Sequence, residues 1–255
     1  MVTGSDDPDE LRYRRSKPFA LEQVERSFFI DRFEVTIPSY RRCIEAGPCA
    51  VPHGSGLCFY FYEGTPGRAS TIARWGLEGD HPINCVSAFD ADAYCAWKGA
   101  RLPTVRERTL AARGPANLDG PCEGPQDLAM RCNKRRFPWG EDRDPRRANV
   151  SVVDGLGERS WRALSTTPVG FFDGSPRQTS QDPPYQTLDG SSIYGVHDLI
   201  GNLNEWSADS SGEKRIVFDH YFDSPYPWDS LATSPGDTPS ISTEATGIRC
   251  ARDSR

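Results

Sequence analysis

No apolar run in this chain approaches the roughly 18–20 residues that a membrane-spanning helix needs, so no such helix is expected. The first residues, MVTGSDDPDELRYRRSK, lack the apolar core of a secretory signal peptide. Histidine is scarce. His53, His81, His197 and His220 stand far apart, without the H-x-x-x-H spacing that suits zinc, and no G-x-S-x-G marks a serine nucleophile. Lysine and arginine are scattered along a chain of net charge −6 and form no basic stripe, which argues against nucleic-acid binding. Internal repeats and low-complexity segments are absent as well. Ordinary zinc, serine-hydrolase and nucleic-acid chemistries therefore have no sequence support.

The chain does have turn formers and cysteines. Gly (23) and Pro (21) are abundant beside 36% hydrophobic residues, a balance that predicts long loops and short regular elements. At 255 residues one large domain can bury a sizeable core. We expect a charged, flexible tail over 1–18 and a single domain over 19–255. Eight cysteines, an even number, stand at 43, 49, 58, 85, 95, 122, 132 and 250. Cys43 with Cys49, and Cys122 with Cys132, flank short loops containing Gly or Pro and look like local staples. Sequence alone leaves the remaining connectivity open. Oxidised pairs would need an oxidising compartment, so an extracytoplasmic protein is expected, read here as a mature region with an added Met1.

Periodicity places a few elements. Phe28–Val35 (FFIDRFEV) alternates as a strand, and 37–46 has helical spacing with Tyr40, Cys43 and Ile44 facing inward. The Gly-rich, aromatic stretch 49–79 reads as a long loop or hairpin. Ala88–Gly99 (AFDADAYCAWKG) has apolar residues at 89, 93, 94 and 97 and predicts a buried helix closing on Gly99. Thr104–Arg113 begins with a capping box, Thr104 and Glu107 three residues on. From 117 to 189 loops dominate, with strands only at 150–153 and 168–172.

The most informative string is YGVHDLIGNLNEW (Tyr194–Trp206), whose mixture of polar and apolar residues follows neither helix nor strand period. Asp198, Gly201, Asn202, Asn204 and Glu205 combine carboxylates, amides and a sharp turn, as in a loop folded around a hard cation. With FFIDRFEVT, HPINCVSAFDADAYCAWKGARLPT, AARG, FPWG, the Ala148-Asn149 pair and GIRCAR (247–252), it resembles in order the formylglycine-generating enzyme family, or sulfatase-modifying factors. The resemblance covers roughly 27–252. Where that family has an apolar, acidic run with a tryptophan, this chain has VRERTL.

The resemblance implies an α+β, C-type-lectin-like, loop-rich single domain. It pairs Cys95 with Cys250, which leaves Cys58 with Cys85. It also implies two calcium sites. Asn149 and Asp154 side chains with Val150 and Leu156 carbonyls would form one; Asp198 and Glu205 carboxylates with Gly201 and Leu203 carbonyls would form the other, the alternative there being that Asp198 caps a turn and Glu205 makes a buried pair. The family's activity oxidises a substrate cysteine to formylglycine at a copper(I) ion held by two thiolates, a soft-metal, soft-ligand match. Those thiolates belong between the NEW loop and the terminal IRC. In this chain, 207–249 contains no cysteine, and RIVFDHYFDSPYPWD (Arg215–Asp229) stands where the family has an RGGSW-like strand.

Copper is therefore not expected, and a non-catalytic binding or structural module, calcium-stabilised and disulfide-stapled, is. Its partner would be a protein, peptide or glycan. The aromatic, proline-stiffened run 218–228 puts Tyr221, Tyr226 and Trp228 forward as ligand contacts, since such side chains give contact area at low entropic cost; the bland alternative is that they cover the core. The competing functions are a copper-dependent oxidase using other cysteines and a diversified lectin-fold ligand binder. His197 is expected to be a structural hydrogen-bonding residue.

Overall fold

A computed structural model of the chain describes residues 1–3, 20–52, 60–62, 65–67, 80–124, 126–127, 131–150, 166–177, 184–218, 221, 233–234 and 238–254. In chain order the elements are β1 (Val2–Thr3), β2 (Ala20–Leu21), β3 (Phe28–Ile30), α1 (Ile37–Glu45), β4 (Tyr60–Tyr62), β5 (Thr65–Gly67), α2 (Ala88–Trp97) and α3 (Val105–Arg113). A 3-10 turn at Pro145–Arg147 follows, then β6 (Pro176–Arg177), β7 (Tyr185–Gln186), β8 (Asn204–Ser211), β9 (Lys214–Phe218), β10 (Thr233–Ser234), β11 (Thr246–Gly247) and β12 (Ala251–Asp253). Short helices and small sheets set in loop, as the composition predicts, make this the α+β fold that the resemblance implied.

Local chemistry explains the helix boundaries. Thr36 caps α1 by accepting from the Ser39 N–H, and Pro38 sits in the first turn, where its missing N–H costs nothing. Thr104 and Glu107 form the expected reciprocal capping box on α3. A second box, Ser87 with Asp90, starts α2 and was not anticipated. Gly99, at φ +70°, lets the chain leave α2.

Four expectations need correction. The alternating strand over 28–35 stops at Ile30, and its distal half follows an irregular course whose Val35 N–H donates to the Ile248 carbonyl. Helix α2 buries the anticipated face only in part: Tyr94 turns inward as expected, with Ala88, Ala91 and Cys95, but Phe89 is 61% and Trp97 38% exposed. The inward face meets α1 through Tyr94, which stacks on Tyr40 at 5.5 Å. Residues 168–172 form a turn rather than a strand, with Gly170 at φ +69°. The tail is also not wholly free: Val2 is fully buried and β1 pairs antiparallel with β2. The remainder of that tail, 4–18, lies outside the described residues, as do 151–153 of the other suggested strand.

The main sheet runs β10-β9-β8-β11, with β8 and β9 antiparallel and β11 parallel to β8. A strand thus continues to Phe218 where the expected RGGSW-like one is missing. The two ends of the domain meet in β3 and β12, paired antiparallel with Ile30 opposite Ala251. The Cys95–Cys250 disulfide, closing 155 residues, joins α2 to this junction. The local staples Cys43–Cys49 and Cys122–Cys132 are also formed. Cys85 is disulfide-bonded too, and its assigned partner Cys58 lies outside the described residues. One core cluster gathers Tyr40, Ile83, Leu102, Trp206 and Ile248 between α1, α2 and the main sheet, and the Trp206 indole donates to the Val86 carbonyl at 3.0 Å. A second cluster, with Ala112, Val196, Leu199 and Ile200, packs α3 under the Tyr194–Trp206 loop.

Candidate functional site

The loop singled out by sequence folds tightly because it concentrates left-handed backbone. Gly195, Asp198, Gly201 and Asn202 all have positive φ, between 56° and 77°. Gly201 has a second reason to be glycine: a Cβ there would sit 2.2 Å from the Asn149 carbonyl oxygen, which accepts the Asn202 N–H at 2.9 Å. This contact brings Asn149 and Val150 alongside the loop. Asp198, Leu203 and Glu205 are buried on this loop.

At the centre is a buried ion cluster: the buried pair open to Glu205 is formed, with cations that sequence reasoning did not name. Glu205, fully buried, accepts from Arg108 Nε at 2.6 Å on one oxygen and from Arg249 Nη2 and Nε at 2.8 and 3.0 Å on the other. Arg108 Nη2 also donates to the Leu199 carbonyl at 2.9 Å, and the Arg108 guanidinium lies 4.2 Å over the Phe218 ring. Arg249 reaches the carbonyls of His197 and Asp31 at 2.8 and 3.0 Å. The guanidiniums thus tie the loop carbonyls, α3, β8 and the segment preceding β12 into one network. Arg108 left a signal in the sequence: Ala111 and Ala112 follow at i+3 and i+4, so it belongs to the inward face of α3.

Two further carboxyls surround the pair. Glu34 accepts from Asn202 Nδ2 at 2.5 Å and from the Leu203 N–H at 3.2 Å; Asp198 accepts from the Gly170 N–H at 2.6 Å. Burial, then the neighbouring carboxylates of Asp198 and Glu205, push the Glu34 carboxyl well above its ordinary range. Burial raises Asp198 to about 6, against the opposing Gly170 N–H and Arg249. For Glu205 burial acts in the same upward sense, but the two arginines outweigh it and hold its carboxyl low. Two buried guanidiniums thus face three buried carboxyl groups, and burial together with the neighbouring carboxylates favours the neutral form of Glu34, which lessens the uncompensated charge in the cluster.

The sulfatase-modifying factor enzyme 1-like domain profile matches residues 2–254. The chain belongs to the formylglycine-generating enzyme family. Among relatives, it is 30% identical over 181 residues to a Bos taurus protein named inactive C-alpha-formylglycine-generating enzyme 2, covering 68% of this chain and 50% of that one. It is 28% identical over 239 residues to the formylglycine-generating enzyme of Thermomonospora curvata, covering 81% and 67%. The chain thus spans about half the length of the inactive relatives it matches. The fold is shared with PvdO from Pseudomonas aeruginosa, at a TM-score of 0.62 and 20% identity over 100% of this chain and 91% of that one. It is also shared with Treponema denticola variable protein 1, at 0.55 and 15% over 100% and 92%. The fold is the C-type-lectin-like one that the resemblance implied.

Against the family's calcium chemistry, the Asp198–Glu205 set does not fit. A carboxylate offers about four lone-pair positions, and three N–H groups already approach those of Glu205. Two buried guanidiniums at its oxygens would also repel a divalent cation. Of the other set, Asn149 donates through Nδ2 to Asn202 Oδ1 at 3.2 Å, whereas Asp154 and Leu156 lie outside the described residues. Tyr221 is half-buried; Tyr226 and Trp228 lie outside the described residues. His197 plays the structural part expected of it: Arg32 Nη2 approaches its Nε2 at 3.3 Å, and burial and that guanidinium lower the ring's pKa. No helix among the described residues is long and apolar enough to cross a membrane.

Proposed function

We propose that this formylglycine-generating-enzyme-like chain is a non-catalytic binding or structural module of an extracytoplasmic compartment. The observation that carries the reading is the absence of any cysteine between Cys132 and Cys250, which leaves the copper(I) thiolate pair without donors at its family position. Every cysteine among the described residues is in a disulfide, which removes the thiols that a displaced copper site would use and suits an oxidising compartment. The relative named inactive supports the same direction. On this reading the ion cluster holds the NEW loop in place of a second calcium ion, calcium is confined to the Asn149, Val150, Asp154 and Leu156 set, and Tyr221, Tyr226 and Trp228 face a protein, peptide or glycan ligand. The deciding experiment is a copper(I) titration of the non-reduced protein against a competing chelator. No binding is expected. Tight stoichiometric binding would mean that two thiols meet in space and would restore the oxidase reading.

A further inference from the structure

A cavity of about 630 Å³ opens on the side of the fold where residues 31–39 pass α2 and the Val169–Gly170 turn. Its size falls within the range of small-molecule sites. Most of its charges are spoken for: Lys98 is held by Asp31 at 2.8 Å and Arg177 by Asp173 at 2.9 Å. Two are not. Among the described residues, Arg32 makes no ion pair; one N–H meets His197 Nε2 and its guanidinium lies 5.1 Å from the Phe33 ring centroid. On another part of the wall Asp80 engages a described residue only through its backbone carbonyl, which accepts the Val169 N–H at 2.8 Å.

The surroundings hold Arg32 in place. His197 is 5% exposed, and its ring lies 5.2 Å from that of Phe33. Because Nε2 accepts from Arg32, the ring carries its proton on Nδ1, a buried nitrogen with no hydrogen-bond partner among the described residues. That unpaired N–H is a cost the fold tolerates where His197 steadies the guanidinium. Phe33 in turn packs on Gly170, where a Cβ would come within 2.5 Å of its ring. A guanidinium has five N–H donors in a fixed fork, and four of those on Arg32 remain for a planar, two-oxygen anion. Asp80 supplies the opposite charge for a cationic group.

We propose that this cavity binds a small zwitterion of the α-amino-acid class, its carboxylate on Arg32 and its ammonium on Asp80. The described residues lining the cavity include none of 218–228, and the proposed binding needs no metal. The standard L-amino acids, presented one at a time at millimolar concentration to the full chain, are the probes, read by saturation-transfer NMR and then calorimetry. At least one is expected to bind. Arg32→Gln and Asp80→Asn should each weaken the best probe about tenfold or more, the scale of one charge-assisted hydrogen bond, with an unchanged thermal midpoint for Asp80→Asn, whose side chain is exposed. The N-acetylated form of that amino acid, lacking the ammonium, should lose a similar factor. Failure of every probe to bind, or equal affinity of either variant or of the acetylated form, overturns the proposal. Trp228→Ala should leave this binding unchanged, so the outcome is independent of the ligand surface proposed above.

Discussion

Replacing Arg108 with methionine keeps a long, flexible side chain on α3 but deletes one of the two cations serving Glu205. Three N–H bonds to that carboxylate become two, the Leu199 carbonyl loses its donor, and the Phe218 ring loses its cation. Breaking a buried ion pair by removing one partner commonly costs about 3–5 kcal/mol. Arg249 still holds Glu205 through both Nε and Nη2, and the burial penalty on Arg108 itself disappears, so the low end, about 3 kcal/mol, is expected. For a domain of this size, that is a fall of about 6–12 °C in thermal midpoint.

Equilibrium urea unfolding of both proteins, with and without calcium, measures the loss. The pH course adds a second check. The arginines hold the Glu205 carboxyl below its ordinary value, so its contribution is complete above the unfolded carboxylate range and is lost as pH falls through the folded value. Losing Arg108 shrinks that depression, so the gap between wild type and Arg108→Met should narrow on acidification. A loss below about 1 kcal/mol would refute the claim that Arg108 is the second cation of this cluster. Recovery of the variant by calcium alone would instead show that the loop accepts a metal once the guanidinium is gone.

Two further outcomes follow from the same chain. Trp228→Ala should abolish retention on immobilised peptide and glycan arrays while leaving the circular-dichroism spectrum unchanged, and an identical array profile would reject the aromatic contact surface. At the start of α3, burial tends to raise the Glu107 carboxyl, but Arg101 and the Thr104 N–H prevail and lower it. Glu107→Gln should therefore be less stable than wild type at neutral pH, with the difference shrinking as pH falls through the folded carboxylate value; a difference that widens in acid would sink this assignment.

Features decided within a few residues were legible in the sequence. Thr104 and Glu107 form a capping box because three-residue spacing alone brings side chain and backbone together, and the six- and ten-residue cysteine separations close on themselves in the same way. The ordered family motifs carried the fold and the Cys95–Cys250 bond, neither of which local periodicity could supply. Periodicity misled where packing set the face: Phe89 and Trp97 look like core residues on α2 but lie outward, because Ala88, Ala91, Tyr94 and Cys95 occupy the side turned to the core.

The loop Tyr194–Trp206 shows the division most clearly. Its composition by itself determined that the backbone would turn sharply, since Gly195, Gly201 and Asn202 tolerate positive φ, and that carboxylates would be concentrated there. Only the tertiary structure decided what neutralises them. Arg108 lies 97 residues before Glu205 and Arg249 44 after it, and each becomes a partner only when α3 and the segment before β12 close over the same buried point. A carboxylate in a turn is equally ready for a metal ion or a guanidinium; burial forces the pairing, and chain topology chooses the cation.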